Sequence, residues 1–252
     1  AISHAVRTAF SGRIHETLLH TGQHYDANMS QVFFDELGIP HADISLGVGS
    51  GPHGAQTARM IEGIEAEINT GKHDVVLLYG DTNSTLAGAV AAAKLHVPVA
   101  HVEAGLRSFN KAMPEEVNRI VCDHCSTWLF CPTETAVKNL AREGFSLDLG
   151  APATADRPHV VASGDVMYDN SMRFARMAAA RSTLVAGLGL ADGGFLLATI
   201  HRDHNTDDAA RINAIFSSLL ELHHRHGLPV VLPVHPRTRK MMAALLHANV
   251  QA

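Results

Sequence analysis

The sequence predicts an α/β fold built on parallel strands, and three observations carry that expectation. Short apolar segments rich in β-branched residues alternate with longer segments of helical periodicity, the order produced when crossover helices join parallel strands. Two apolar segments run into polar, glycine-containing loops, Gly80-Asp81-Thr82 and Glu103-Ala104-Gly105, at the strand ends where open α/β sheets take ligands. The alternation then breaks at a glycine-rich stretch and starts again, dividing the chain into residues 1–185 and 186–252.

Each element follows from its local pattern. Ala1-Ile2-Ser3-His4-Ala5-Val6-Arg7 reads as an amphipathic helix entered partway, with no cap before it. Residues 16–20 predict a strand, 29–37 a helix, and 56–69 a longer helix with apolar residues at helical spacing. Residues 74–79 are apolar after Asp74 and predict a strand buried on both faces. A polar loop leads from it into an Ala-rich helix over 86–95, and residues 98–102 form the next buried strand. Helix, strand and helix follow over 114–123, 127–131 and 134–143.

Residues 146–158, rich in Gly, Ala, Pro and Asp, read as an exposed insertion, because residues 160–165 resume the strand-to-helix pattern. An Ala/Arg-rich helix then gives way to Gly187, Gly189, Gly193 and Gly194, where the domain boundary falls. Beyond it, strands over 195–200 and 229–234 alternate with helices over 207–225 and 238–248. Two strands cannot bury both faces of a sheet, so this second unit is expected to be partial.

Composition narrows the function. The chain has 252 residues, 46% of them hydrophobic, enough for one large domain or two modest ones. With 20 Lys plus Arg against 25 Asp plus Glu, a net charge of −5 and no basic run, it lacks the clustered cations of a nucleic-acid binder. No stretch approaches the roughly 18 apolar residues of a membrane span, and the first residues lack a secretory pattern. The expectation is a cytoplasmic protein without membrane insertion. Cys122 and Cys125 have CxxC spacing without a second pair, and Cys131 lies in an apolar run, so buried thiols are expected and no metal.

Three acidic positions stand where chemistry is expected. Asp81 and Glu103 end apolar strands, and Glu115 opens a helix beside Glu116. Carboxylates at one crevice can act as acid and base when their surroundings separate their pKa values. Two of the three have plainer readings: Asp81 as a helix N-cap and Glu115 as a complement to a helix dipole. Glu103 has no capping role. In the second unit, Thr199-Ile200-His201-Arg202 and Val234-His235-Pro236-Arg237 each put His at a strand end with Arg close behind, a pair of groups suited to a diphosphate.

Taken in order, Tyr79-Gly80-Asp81-Thr82, His101-Val102-Glu103-Ala104-Gly105-Leu106-Arg107, Pro114-Glu115-Glu116-Val117-Asn118-Arg119, Pro132-Thr133-Glu134, Gly164-Asp165-Val166 and Thr199-Ile200-His201-Arg202 resemble the non-hydrolysing UDP-N-acetylglucosamine 2-epimerases. Thr21-Gly22-Gln23-His24 fits as well. The resemblance implies two Rossmann-like domains of the glycosyltransferase-B type, with a UDP-sugar between them, no cofactor, and a homodimer. It implies Asp81, Glu103 and Glu115 as acid/base groups and His201 as the group that stabilises the departing diphosphate. It further suggests Gln23, His24, Arg107, Arg119, Arg202 and His235 for substrate binding.

Against the family pattern the chain enters after a Gly-Thr-Arg-Pro loop and stops before an Asp-Ser-Gly-Gly segment. A first domain lacking its first strand, a partial nucleotide-binding domain, truncation at both ends and impaired activity are the corresponding expectations.

The chemistry can be reasoned independently. The C2 hydrogen of a sugar nucleotide has no neighbouring carbonyl and is not acidic. Departure of UDP leaves an oxocarbenium-like C1 that acidifies it; loss of the proton gives a glycal, and return of proton and UDP with the opposite C2 configuration completes inversion. Such a site needs carboxylates for protons and cations or hydrogen-bond donors for the diphosphate. Gly51-Pro52-His53-Gly54-Ala55-Gln56-Thr57 and Thr199-Ile200-His201-Arg202 are also similar to the branch acting on a UDP-diacetamido-glucuronic acid, for which Arg107 or Lys111 would supply the cation near C6. The readings set against epimerisation are a retaining glycosyltransferase, a hydrolysing epimerase and a catalytically inactive nucleotide-sugar binding fragment.

Overall fold

A computed structural model describes residues 2–22, 40–200 and 203–247. The predicted helix over 29–37 lies outside the described residues. The chain divides into two compact units, Ala1–Ala175 and Arg176–Ala252, each described by itself below.

The first unit opens with helix α1 (Ile2–Ala9), followed by two short parallel strands, β1 (Leu19–His20) and β2 (Ile44–Ser45). Helix α2 (His53–Gly71) comes next, then four strands, β3 (Val76–Tyr79), β4 (Val99–Val102), β5 (Trp128–Cys131) and β6 (His159–Ala162). These four form one sheet in chain order, every pair parallel. The crossovers are helices α3 (Asn83–Lys94), α4 (Pro114–Cys125) and α5 (Glu134–Arg142), and α6 (Val166–Arg181) follows the last strand.

The core has two parts. Met60, Ile64 and Ile68, spaced by four along α2, meet Ala87, Ala91 and Ala92 of α3 and Val99 of β4, with Leu19, Leu46, Val76 and Leu78 packed around them. Small residues let α3 lie close on β3: a Cβ at Gly88 would come within 2.6 Å of Leu78 Cδ2. Leu129, Cys131, Ala136, Leu140 and Val160 form the second cluster, between β5, β6 and α5.

Strand β3 departs from the expectation of burial on both faces. Val76 and Leu78 turn toward the helices, but Val75, Leu77 and Tyr79 are 44%, 37% and 44% exposed. β3 is the first strand of its four-stranded sheet, and α2 and α3 cover only one of its faces. An uninterrupted apolar run cannot report that its second face is uncovered. Central β4, by contrast, is buried at every residue.

Helix α3 begins at Asn83, ahead of the expected 86, because Thr82 caps it: its Oγ1 accepts from Thr85 N at 3.4 Å. The insertion at 146–158 is irregular apart from a Thr154–Arg157 bridge.

The second unit holds helix α7 (Leu184–Gly187), strand β7 (Leu196–Leu197), helices α8 (Asp203–Thr206) and α9 (Ala209–His226), strand β8 (Val230–Val231) and helix α10 (Pro236–Leu245). β7 and β8 pair in parallel over two residues each, shorter than the predicted strands. Asp208 caps α9 by accepting from Arg211 N, and Gly227 ends it with φ of +65°. His223, His224, Arg225 and His226 occupy its last turn, where the Arg225 cation complements the helix dipole. Buried Asn213 donates to Leu245 O and accepts from His247 N, fixing the end of α10 against α9. No described helix is long and apolar enough to cross a membrane.

Candidate active site

The candidate site lies at the carboxyl ends of β3 and β4. Tyr79 and Val102 pair in register, and the backbone turns sharply just beyond both. Gly80, Glu103 and Gly105 have φ of +64°, +73° and +75°. At Gly105 only glycine fits, since a Cβ would meet the Ala136 carbonyl oxygen at 2.5 Å. Glu103 holds the left-handed conformation with a full side chain, at a cost of about 1–3 kcal/mol, a strain that concentrates at functional positions. Its Oε2 lies 3.6 Å from where a side chain at Gly80 would begin. That is ordinary contact, so Gly80 is favoured by its positive φ and not by crowding.

One guanidinium reaches both acids. Arg119, on α4, places NH2 2.7 Å from Asp81 Oδ2 and 3.9 Å from Glu103 Oε2. Its Nε is buried and has no acceptor among the described residues. Asp81 is not the cap of α3, because Thr82 performs that task. The Asp81 backbone is pinned instead: Asn118 Nδ2 donates to Asp81 O at 2.9 Å and to Asn83 Oδ1 at 3.1 Å, and Asn83 Nδ2 donates to Gln56 Oε1 at 2.9 Å. Burial holds the Glu103 carboxyl above the ordinary glutamate range; Asp81 and Asp165 push it further up, while Arg119 and His101 oppose them.

Helix α4 separates its two opening acids. Glu116 is 2% exposed and accepts from Ser108 N, Ser108 Oγ and Phe109 N at 2.8, 2.9 and 3.0 Å, so it organises the preceding loop. Burial alone would raise its pKa, but these bonds together with Arg107 bring it below the ordinary value. Glu115 is half-buried, and its spacing of four from Arg119, and of Arg119 from Asp123, puts the three on one helix face.

Beneath the two acids lies a closed layer of charge. His101 Nδ1 is 2.7 Å from Asp123 Oδ1, and His101 Nε2 is 2.8 Å from Gly80 O. Asp123 Oδ2 accepts from Gly105 N at 3.1 Å and pairs with Arg107 NH1 at 2.7 Å. Arg107 Nε and NH2 each reach Glu143 at 2.7 Å, a bidentate pair. The Arg107 side chain is 1% exposed. The structure thus puts the Arg107 side chain inside the protein with its charge matched by two carboxylates.

Of the residues singled out in the sequence, the structure brings Asp81, Glu103 and Arg119 together, and Glu115 stands on the same helix as Arg119. His235 is exposed just before α10, in the second unit. Gln23, His24, His201 and Arg202 lie outside the described residues. Sequence reasoning missed Asn83, Asn118, His101 and Asp123 as parts of the site's support, and Asp165 as a charge acting on Glu103. A histidine inside an otherwise apolar strand was the available signal for His101. Cys122 and Cys131 are buried and Cys125 half-buried; burial and Asp123 push the Cys131 thiol up to about 12, which keeps it protonated. Among the described residues no cluster of His, Cys, Asp or Glu is arranged to hold a metal.

Residues 8–252 match the sequence family described as UDP-N-acetylglucosamine 2-epimerase. The chain is 51% identical over 230 residues, 91% of its length, to the UDP-2,3-diacetamido-2,3-dideoxy-D-glucuronate 2-epimerase of Pseudomonas aeruginosa, and covers 61% of that protein. It is 37% identical over 243 residues to the UDP-N-acetylglucosamine 2-epimerase of Methanocaldococcus jannaschii, covering 96% of itself and 64% of the relative.

The crystal structure of the M. jannaschii enzyme in complex with UDP-GlcNAc and UDP superposes with a TM-score of 0.80 at 36% identity, over 97% of this chain and 65% of that one. The Neisseria meningitidis enzyme bound to UDP-GlcNAc gives 0.79 at 27% identity, over 96% and 65%. The chain therefore spans somewhat less than two thirds of the relatives it matches. Its two α/β units with parallel sheets are of the glycosyltransferase-B type seen in these relatives. On the family match, the shared folds and the ordered motifs, the chain belongs to the UDP-N-acetylglucosamine 2-epimerase family.

Proposed function

We propose that this chain carries the acid/base centre of an enzyme that inverts C2 of a UDP-2-acetamido sugar, converting UDP-GlcNAc to UDP-ManNAc by elimination and re-addition of UDP. The observation that carries the reading is the pair Asp81 and Glu103, side by side at the ends of neighbouring parallel strands and reached by one Arg119. In the elimination the C1–O bond breaks with its electron pair leaving on UDP, a carboxylate takes the C2 proton, and the C–H pair becomes the C1–C2 double bond. In the return a carboxylic acid protonates C2 from the other face, and the UDP oxygen re-forms the bond to C1.

One group must begin able to accept a proton and another must hold one to give. Asp81, gripped at 2.7 Å by Arg119, suits the first task. Glu103, whose carboxyl burial holds above the ordinary range, suits the second. Glu115 is a third acid/base candidate, and the family resemblance assigns His201, Arg202 and His235 to the diphosphate. A cytoplasmic homodimer acting without a cofactor is the setting this reading implies, and sedimentation of the purified protein reads the dimer directly.

A second substrate is favoured by the 51% identity to the diacetamido-glucuronate enzyme. A uronate carboxylate calls for a cation near C6. Arg107 is already matched by Asp123 and Glu143, which leaves Lys111, exposed in the loop before α4. The test is incubation with each UDP-sugar in deuterium oxide without any acceptor. Deuterium at C2 and the C2 epimer are expected; consumption only when an acceptor is present, or product that keeps its C2 hydrogen, overturns the reading.

A further inference from the structure

His101 is the polar residue within the wholly buried strand β4, and the reaction as written above does not use it. Its Nε2 faces the Gly80 carbonyl oxygen at 2.8 Å, and a carbonyl only accepts, so Nε2 carries hydrogen. Its Nδ1 is 2.7 Å from Asp123 Oδ1; two lone pairs at that distance would repel, so a proton lies between them as well. The other oxygen of Asp123 takes the Gly105 amide and Arg107. A single His–Asp pair thus ties three pieces of backbone: Gly80, which precedes Asp81; Gly105, two residues after Glu103; and α4, which carries Arg119 one turn before Asp123.

We propose that His101 and Asp123 are positioning residues for epimerisation: without touching substrate, they hold the Asp81 loop and the Glu103 loop at a fixed distance from Arg119. The proposal rests on the function proposed above. It has a clear physical basis. The β3–β4 ladder ends at Tyr79 and Val102, and beyond it the loops turn left-handed, each keeping one strand-type backbone bond, Gly80 N to Val102 O and Ala104 N to Phe130 O. Asn118 holds the Asp81 loop and Asn139 the Glu103 loop, and the His–Asp pair ties the two loops to each other and to α4.

Two variants divide the pair's contacts. His101→Asn keeps a donor toward Asp123 and abandons Gly80; His101→Gln keeps a donor toward Gly80 and abandons Asp123. For His101→Asn, kcat for C2 exchange is expected to fall about 10- to 100-fold with KM unchanged, the size of effect that follows a small misplacement of reacting groups. Amide hydrogen exchange should quicken at residues 80–82 and 103–106 and stay as in the parent across α5. His101→Gln should recover part of both for the Asp81 loop.

Full kcat in a folded His101→Asn protein overturns the proposal. Faster exchange across the whole first unit, α5 included, overturns it too, because that marks a general loss of packing. If the parent turns over no UDP-sugar, the proposed function fails, while the loop-exchange pattern still reads the clasp by itself. If neither variant folds, the side-chain nitrogen spectrum of the parent decides: a slowly exchanging proton on His101 Nε2 is expected, and an Nε2 without hydrogen sinks the idea.

Discussion

Two layers of charge lie one above the other at the ends of β3 and β4, and they differ in how completely they are satisfied. The lower layer, His101, Asp123, Arg107 and Glu143, has acceptors and donors matched throughout, and the His101, Arg107 and Asp123 side chains are at most 1% exposed. The upper layer, Asp81, Glu103 and Arg119, is open: the acids are 27% and 24% exposed, one contact stretches to 3.9 Å, and Arg119 Nε has no acceptor among the described residues. Buried polar groups that complete one another specify structure, whereas groups left incomplete invite an outside partner. The comparison separates Arg107 from Arg119, two arginines of the same motif set, by what surrounds them.

The sharpest way to break this contrast is to neutralise one acid in each layer. Glu103→Gln is expected to lower the rate of C2 exchange by about 10²- to 10⁴-fold while leaving the urea midpoint close to the parent's. Normal exchange in deuterium oxide would remove Glu103 from the reaction. Asp123→Ala leaves buried His101 without its carboxylate and Arg107 with Glu143 alone, and should cost about 3–5 kcal/mol of folding stability, read from urea unfolding. A loss within error of zero would mean the lower layer is not structural.

A smaller effect tests the division of labour at the start of α3. Thr82→Ala should cost about 1 kcal/mol as a lost N-cap, while Asp81→Ala should not carry that cost. Equal losses by thermal unfolding would return Asp81 to a capping role.

The smallest effect is the pH dependence from Glu103. Its carboxyl is held above the ordinary range, so the folded protein keeps a proton that the unfolded chain releases. The stability this supplies is full below the ordinary carboxylate pKa and is lost as pH rises through the raised one. Glu103→Gln should flatten that decline in urea midpoints; an unchanged pH profile would show that burial does not hold the proton.

The order of strands and helices was legible because the chain alternates strand-like and helix-like periods, and the ends of β3 and β4 were legible because polar loops interrupt apolar runs there. Asp81 and Glu103 could be picked out from that position alone. Side-chain direction could not. Whether Arg107 points in or out depends on Glu143, 36 residues away, and on Asp123 across the fold. Likewise Glu115 and Glu116 are adjacent and identical in type, and only the loop amides of Ser108 and Phe109 assign the second to structure. The exposed face of β3 was invisible for a similar reason, since burial depends on what packs against a strand and not on its own composition.

The row Glu115, Arg119 and Asp123 along α4 has a consequence for how this sequence can change. An α-helix advances about 100° per residue, so deleting one residue between Glu115 and Asp123 would swing the Glu115 end of the row away from its anchored end at Asp123. Point substitutions on the outer face of α4 leave the row in phase. Length changes inside it do not, so this helix should tolerate many spellings and only one count.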